Sequence, residues 1–341
     1  MPFCIVDTHA INVTAMDKKD KIKLALVCGG RSAERDVSLA GAREVRKALD
    51  TEKYHVSVYD PADGVEGIVK DSDRIDVAFI LLHGRYGEDG TIQGLFDMLD
   101  IPYQGSGVLG SAIAMDKHLS KVVYRSEGIP TPDWVTLDSM DGFDHTGIVA
   151  RLGMPLMVKP CGQGSSVGMS VVEETDALEA AVMEAFRWDS RVIIEAFAAG
   201  REITAGVLGN RELQALPIVE IIPGDGYDFF DKEAKYKIGA TEEICPADIP
   251  DDITSRAQTL GLAAHRALRL RGYSRTDMIL TDNGDLTVLE TNTIPGMTPT
   301  SLFPQAAKAA GLDFSTLLDK LIGLALERQG HTTGHLKYEN E

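Results

Sequence analysis

Two short, nearly continuous apolar segments constrain the fold most: KIKLALV at Lys21–Val27 and DVAFILL at Asp76–Leu82, each ending at a residue pair that leads into glycine. A strand apolar on both faces must be covered on both faces, which a parallel sheet between layers of helices achieves. The spacing of Leu39, Ala42, Val45 and Leu49 predicts a helix over Ser38–Leu49, and a further strand is expected at His55–Tyr59. Helices over Gly90–Leu99 and Gly107–Glu127 extend the alternation. The start of the chain therefore reads as an α/β domain with a parallel sheet.

The rest of the chain patterns differently. IPTPDW, Ile129 to Trp134, carries two prolines and reads as a connection after a unit boundary. Strands are expected at Pro155–Pro160, Val167–Val172, Val192–Ala196, Glu202–Leu208 and Leu213–Ile222, with a helix at Thr175–Arg187. A helix at Ile253–Arg271 precedes strands Arg275–Leu280 and Leu286–Glu290, split by the turn sequence Asp282-Asn283-Gly284-Asp285. Helices near Leu302–Ala310 and Phe314–Arg328 close the pattern, and the last residues read as a flexible tail. Gly224–Glu243 is long, polar and aromatic, the composition of a functional lid rather than of plain disorder.

Composition narrows the partners. With 34 basic and 52 acidic residues among 341, the net charge of −18 repels nucleic-acid backbones and anionic membranes. Small metabolites are the expected partners. The four cysteines, Cys4, Cys28, Cys161 and Cys245, are too scattered for a zinc pair or a disulfide framework. No apolar run reaches the length of a membrane span, and the first 20 residues lack the pattern of a signal peptide, so a cytoplasmic protein is expected.

Several segments carry chemistry. Lys159-Pro160-Cys161-Gly162-Gln163-Gly164-Ser165-Ser166-Val167-Gly168 reads either as a structural hairpin or as a loop whose amides and hydroxyls hold phosphate. In Arg275-Thr276-Asp277 and Glu290-Thr291-Asn292, strand alternation puts Arg275 with Asp277 and Glu290 with Asn292, and the hairpin sets the pairs side by side. Such a set is an oxygen cage for Mg²⁺ beside a cation aimed at an oxyanion, or an ordinary ion-paired face. Gly296, in the turn after it, has an amide that fits the same oxyanion. Lys235 and Tyr236 belong either to a lid over substrate or to a charged surface excursion, and His83 is a ligand contact or a structural histidine. Glu34 and Ser38, one helical turn apart, are placed to meet one small ligand.

Taken together, GGRSAERDVSLAG, HGRYGEDGTIQGLFD, GSGVLGSAIAMDKHLSK, KPCGQGSSVGMS, EAKY, RTD and LETNTIPGMTPTSL, in that order, resemble the D-alanine–D-alanine ligase family of ATP-grasp enzymes from about Lys21 through Arg328. The resemblance implies an N-terminal extension (1–20), an α/β substrate-binding domain (21–116), a central ATP-grasp subdomain (117–202), a mixed α+β catalytic ATP-grasp domain (203–330) and a tail (331–341). It implies ATP contacts at Lys117, Lys159, Ser166, Glu195, Glu202 and Lys235. Asp277, Glu290 and Asn292 are the implied ligands of two Mg²⁺ or Mn²⁺ ions.

By the same resemblance Glu34 engages the ammonium of the first D-alanine within a linked Glu34–Ser165–Tyr236 arrangement, with His83 nearby. Lys235 and Ser301 serve the carboxylate of the second D-alanine, and Arg275 with the Gly296 amide steadies a tetrahedral intermediate. The implied reaction makes D-alanyl-D-alanine for peptidoglycan through a D-alanyl phosphate, in a homodimer. Gln163 and Cys161 depart from the residues common in the family's loop, but they leave its backbone amides in place.

Overall fold

The computed structural model describes residues 21–224 and 241–327. The expected parallel sheet is present: β1 (Ile22–Val27), followed by α1 (Arg35–Ala48) and β2 (Tyr54–Tyr59), and, after α2 (Glu66–Lys70), β3 (Val77–Ile80). Its order is β2-β1-β3, with Leu24 level with Val56 and Val77. Alternation sends Leu24, Leu26 and Phe79 to one face and Ala25, Val27, Ala78 and Ile80 to the other, and both sets are buried. Each buried leucine or phenylalanine contributes roughly 2 kcal/mol, so an apolar run with no polar face is stable only when both sides are covered.

Between β1 and α1 the chain reverses through Gly29 and Gly30, with φ of 85° and 79°. Those angles favour glycine, and the turn leaves Glu34 at the N-cap of α1. Ser38 does not share a ligand with Glu34. It is fully buried, and its Oγ accepts from the Gly29 amide at 2.7 Å, so it braces the turn.

The long helix expected over Gly107–Glu127 is two. After α3 (Thr91–Met98) come α4 (Val108–Met115) and α5 (Lys117–Ser126). The break is at Asp116, which leaves helical backbone and caps α5 by accepting from the Leu119 amide at 2.9 Å. Helical periodicity continues across the break and hides it, and the result is that Lys117 starts a new helix.

An antiparallel sheet follows, in the order β4-β7-β5-β6: β4 (Trp134–Leu137), then α6 (His145–Leu152), β5 (Leu156–Pro160), β6 (Ser170–Val172), α7 (Leu178–Phe186) and β7 (Val192–Ala196). β4 and α6, four and eight residues long, are too short for their period to stand out in the sequence. The largest sheet holds β8 (Arg201–Gly209), β9 (Gln214–Ala215), β10 (Val219–Pro223) and β11 (Thr241–Ile244). Past α8 (Asp251–Ala267), β12 (Gly272–Leu280) and β13 (Leu286–Asn292) complete it, with the path β11-β10-β8-β12-β13 and β9 on β8. The single strand expected over Leu213–Ile222 is divided around Pro217, which has no N–H for a ladder. β11 lies within the segment read as a lid, whose residues 225–240 are outside the described part. α9 (Leu302–Ala309) and α10 (Phe314–Leu326) then return to the first sheet, and Leu24, Phe79, Tyr273, Phe303 and Leu321 share one core. The three-stranded sheet is thus packed onto the six-stranded one through a shared core.

Beneath β12, His265 is 1% exposed and its Nδ1 is 2.7 Å from Ser274 Oγ. Burial, with Arg266 beside it, pulls its pKa from 6.5 to about 4. Below pH 6.5 the unfolded chain takes up a proton that the folded chain refuses, so stability is lost as pH falls from 6.5 towards 4, by up to about 3 kcal/mol. Urea unfolding of wild type and His265→Gln at pH 5 and 7 checks this: the variant is expected to lose less on acidification, and identical losses would assign the proton uptake elsewhere.

Candidate active site

The antiparallel register of β12 and β13 sets Arg275 opposite Asn292 and Asp277 opposite Glu290, with a bulge immediately after Asp277. Arg275 grips Asp277 in a fork, Nε to Oδ1 at 2.8 Å and Nη2 to Oδ2 at 2.7 Å. Burial opposes the guanidinium charge, but Asp277 outweighs it and raises the Arg275 pKa. The spare hydroxyls behind these residues close on themselves, with Thr276 Oγ1 3.0 Å from Thr291 Oγ1, which accepts from the Tyr124 hydroxyl at 2.8 Å.

Facing this pair is a cavity of about 470 Å³, lined by Lys117, Lys159, Ser165, Ser166, Glu195, Glu202, Asp277 and Glu290. The structure therefore brings together Lys117, Lys159, Ser166, Glu195 and Glu202 of the residues expected at nucleotide, Lys235 lying outside the described residues, and two of the three expected at metal. Met157, Phe197, Ile221, Ile279 and Leu289 give the same cavity apolar walls, suited to a planar base.

Its cations are all spoken for by carboxylates. Lys117 Nζ lies 3.2 Å from Glu290 Oε2 and donates to the Gln163 carbonyl at 2.7 Å. Burial works against that charge, yet Glu290 prevails and holds the Lys117 pKa above its ordinary value. Lys159 meets Glu195 Oε2 at 2.8 Å, and Lys121, one turn after Lys117 on α5, stands 3.2 Å from Glu195 Oε1. Burial drives the Lys121 pKa down to about 8, with the Lys159 charge adding to the effect. Burial alone would raise the Glu195 pKa, but the two ammoniums bring it below the usual range.

The glycine-rich loop between β5 and β6 is a built turn. Ser165 and Ser166 both have positive φ, 55° and 57°, where residues with a β-carbon are strained. Gln163 Nε2 donates to the Trp188 carbonyl at 2.9 Å, so this departure from the family pattern ties the loop down. A β-carbon at Gly164 would sit 3.1 Å from Glu34 Oε2, and one at Gly84 would sit equally near the same oxygen. Glu34, Gly84 and the loop tip therefore meet between the N-terminal domain and the cavity.

His83 is buried beside this meeting point. Burial lowers its pKa, against the opposing effects of Glu34 and of a hydrogen bond with the Ile294 backbone. Gly296 and Ser301 belong to the turn that follows β13: a β-carbon at Gly296 would lie 3.1 Å from Ser301 Oγ, which is 2.8 Å from Thr298 Oγ1. Lys235 and Tyr236 lie outside the described residues.

Two functional-looking residues escaped the sequence reading. Glu88 is 8% exposed, and burial with the charge of Glu34 raises its pKa to about 8. Lys121 is wholly buried. Their signals were present, an acid inside the glycine-rich HGRYGEDG and a lysine four residues after Lys117, but neither pattern distinguishes a buried charge from a solvated one.

Among the described residues no group of three or more His, Cys, Asp or Glu side chains converges as a metal cluster. Asp277, Glu290 and Asn292 nevertheless fit a hard cation. A carboxylate accepts at about four lone-pair positions, so the Arg275 fork leaves part of Asp277 available.

Comparison with known proteins agrees with the geometry. Residues 60–106 match the family described as D-ala D-ala ligase N-terminus, and residues 123–323 match D-ala D-ala ligase C-terminus. A D-alanine–D-alanine ligase of Syntrophobacter fumaroxidans is 55% identical over 308 residues, covering 90% of this chain and 99% of that one. The crystal structure of the D-alanine–D-alanine ligase from Bacillus anthracis complexed with ATP superposes with a TM-score of 0.80 at 36% identity, covering 91% of this chain and 99% of that one. The VanG D-Ala:D-Ser ligase of Enterococcus faecalis reaches a TM-score of 0.78 at 32% identity, over 90% of this chain and all of that one.

The buried Lys121–Glu195–Lys159 triad makes a direct test. Glu195→Gln leaves two ammoniums facing each other without a counter-charge and is expected to cost about 3 kcal/mol in urea unfolding. Adding Lys121→Met is expected to return part of that loss, whereas strictly additive losses would show that the charges do not interact.

Proposed function

The chain belongs to the D-alanine–D-alanine ligase family and is an ATP-dependent ligase joining two D-alanine molecules; we propose that its reaction runs through D-alanyl phosphate on the residues described above. One observation carries this assignment of roles: Asp277 and Glu290, paired across β12 and β13, face Lys117 and Lys159 over a single cavity.

Lys117 and Lys159 offset the charge of the ATP phosphates, with Ser165, Ser166 and the loop amides around them, and Glu195 and Glu202 bind the nucleoside. Asp277, Glu290 and Asn292 would hold two Mg²⁺ ions, or Mn²⁺, which neutralise charge on the transferring phosphoryl group. Glu34 takes the ammonium of the first D-alanine beside His83. The carboxylate oxygen of that D-alanine attacks the γ-phosphorus, the bond to the bridging oxygen breaks, and ADP leaves. The neutral amine of the second D-alanine, whose carboxylate is met by Ser301 and Lys235, then attacks the carbonyl carbon of the D-alanyl phosphate. Arg275 and the Gly296 amide stabilise the oxyanion, and phosphate departs as the amine loses its proton. Tyr236 and Lys235 belong to the lid that excludes water from the acyl phosphate.

The division into an extension, an α/β domain, a central subdomain and a catalytic domain is supported by the three separate sheets. The product serves peptidoglycan precursor synthesis, the family role. ATP dependence supports a cytoplasmic location, and among the described residues no helix is long and apolar enough to cross a membrane. Exposed Met98, Val108 and Leu109 on α3 and α4 support a homodimer through the N-terminal domain.

Purified protein with ATP, Mg²⁺ and D-alanine is expected to release ADP and phosphate only when D-alanine is present and to form D-alanyl-D-alanine. Arg275→Ala is expected to lower kcat by about 10²–10³. Because of the likeness to a D-Ala:D-Ser ligase, the acceptor is read from competition of D-alanine with D-serine and D-lactate at neutral pH. A dominant mixed product would overturn the acceptor assignment, and ATP binding without D-alanine-dependent turnover would favour a regulatory nucleotide-binding protein instead.

A further inference from the structure

The side-chain amide of Asn292 carries an acceptor on one side and a donor on the other, and only its oxygen can ligate a cation. Its two polar neighbours decide which way it faces. Turned with nitrogen towards Glu88, it donates to Oε1 at 2.7 Å and its oxygen accepts from Arg275 Nη2 at 3.2 Å. Turned the other way, nitrogen meets the guanidinium, donor against donor, and oxygen loses that partner and faces the Glu88 carboxyl, which satisfies it only when protonated.

Glu88 is well placed to enforce this. Its other oxygen, Oε2, accepts from the Gly84 amide at 2.6 Å, within the buried turn that follows β3. The carboxylate therefore spans from the N-terminal domain to the end of β13. The outcome at the far side is specific: the Arg275 Nη2 that meets the Asn292 oxygen is the one that meets Asp277 Oδ2 at 2.7 Å. Two oxygens from opposite strands thus accept from one nitrogen, which places them on the same side of Arg275.

We propose that Glu88 is a positioning residue that fixes the Asn292 amide with its oxygen turned beside that of Asp277, making cation binding on β12 and β13 depend on the N-terminal domain. The inference rests on the proposed role of Asn292 as a metal ligand. Carboxylates one step out from a metal orient its ligands in this way, and removing them typically weakens metal binding by roughly 10–100-fold. Glu88 need not touch substrate to have that effect.

Glu88→Gln tests it with little change of shape, because a glutamine can present either an oxygen or an amide nitrogen to Asn292 and leaves the orientation to the Arg275 contact alone. The readout is Mn²⁺ affinity by electron paramagnetic resonance with saturating ADP, in wild type, Glu88→Gln, Asn292→Asp and the double variant. Glu88→Gln is expected to weaken Mn²⁺ binding about tenfold in the wild-type background. It is expected to have no such effect in Asn292→Asp, where both ends of the side chain are oxygens. Unchanged affinity for Glu88→Gln, or the same loss in both backgrounds, overturns the proposal and leaves Glu88 a packing residue. Asn292→Ala separates the underlying assumption: if it binds Mn²⁺ as wild type does, the ligand assignment itself fails and the proposal falls with it. Should Glu88→Gln not fold, the wild-type amide still decides. Its NH₂ resonances, identified by their loss in Asn292→Asp, are expected to show a proton protected from solvent exchange, and a freely exchanging amide overturns the proposal.

Discussion

The pairing of β12 with β13 is the constraint on which the site depends. Arg275 opposite Asn292 and Asp277 opposite Glu290 put one cation and three oxygen-bearing side chains on a single face. Side chains alternate with a period of two, so a slip of one residue would send this set into the apolar layer beneath α8 and bring Met278 and Val288 out. The register is therefore held from behind. Met278, Val288, Ala257 and Ala264 are fully buried together, and a charged group displaced into that layer would carry a desolvation cost of several kcal/mol. The bulge after Asp277 adds local twist at the point where the strands present their polar residues, a common place for such an irregularity.

Strand content and the polar hairpin were legible because both rest on short-range rules. Uninterrupted apolar residues at Val77–Leu82 are stable only when buried, and Asp282-Asn283-Gly284-Asp285 favours a turn, so the sheet and hairpin follow from local chemistry. The helix break at Asp116 was not legible, since the residues on both sides keep helical spacing and only the capping bond to Leu119 reveals the stop. The candidate site divides the same way. Asp277, Glu290 and Asn292 share a face by alternation, whereas Lys117 and Lys159 reach the cavity from elements far away in sequence. Lys159 was legible at the head of the glycine-rich loop, whereas Lys117 emerged only through resemblance of whole motifs. Glu88 and Lys121 lay in quoted motifs and still went unassigned, because burial decides their chemistry and burial is a tertiary property.

The N-terminal domain contributes more than a substrate pocket. Its sheet shares a core with β8, β12, α9 and α10, so the loops at the ends of β1 and β3 are held against the turn after β13. A β-carbon at Gly41 of α1 would rest 3.6 Å from the Met297 carbonyl, and the Ile294 backbone is a hydrogen-bond partner of His83. Glu34, His83 and Glu88 consequently approach the catalytic strands as one rigid edge rather than as separate loops. Apolar packing between domains sets the placement, and the polar contacts refine it.

The charges in the cavity are arranged as pairs, and that arrangement reconciles burial with the need to receive a polyanion. Burial works against a lysine charge here, and it lowers the Lys121 pKa to about 8 even with Glu195 3.2 Å away. Lys117 keeps its charge because Glu290 stands beside it, and Lys159 is accompanied by Glu195. Phosphate oxygens arriving at Lys117 would take over the role that Glu290 now plays, and the freed carboxylate is one of the proposed cation ligands. Binding of nucleotide and of metal would then be linked through one ion pair, each favouring the other by removing its competitor. No movement of the backbone is required for that coupling; exchange of partners around Lys117 is enough.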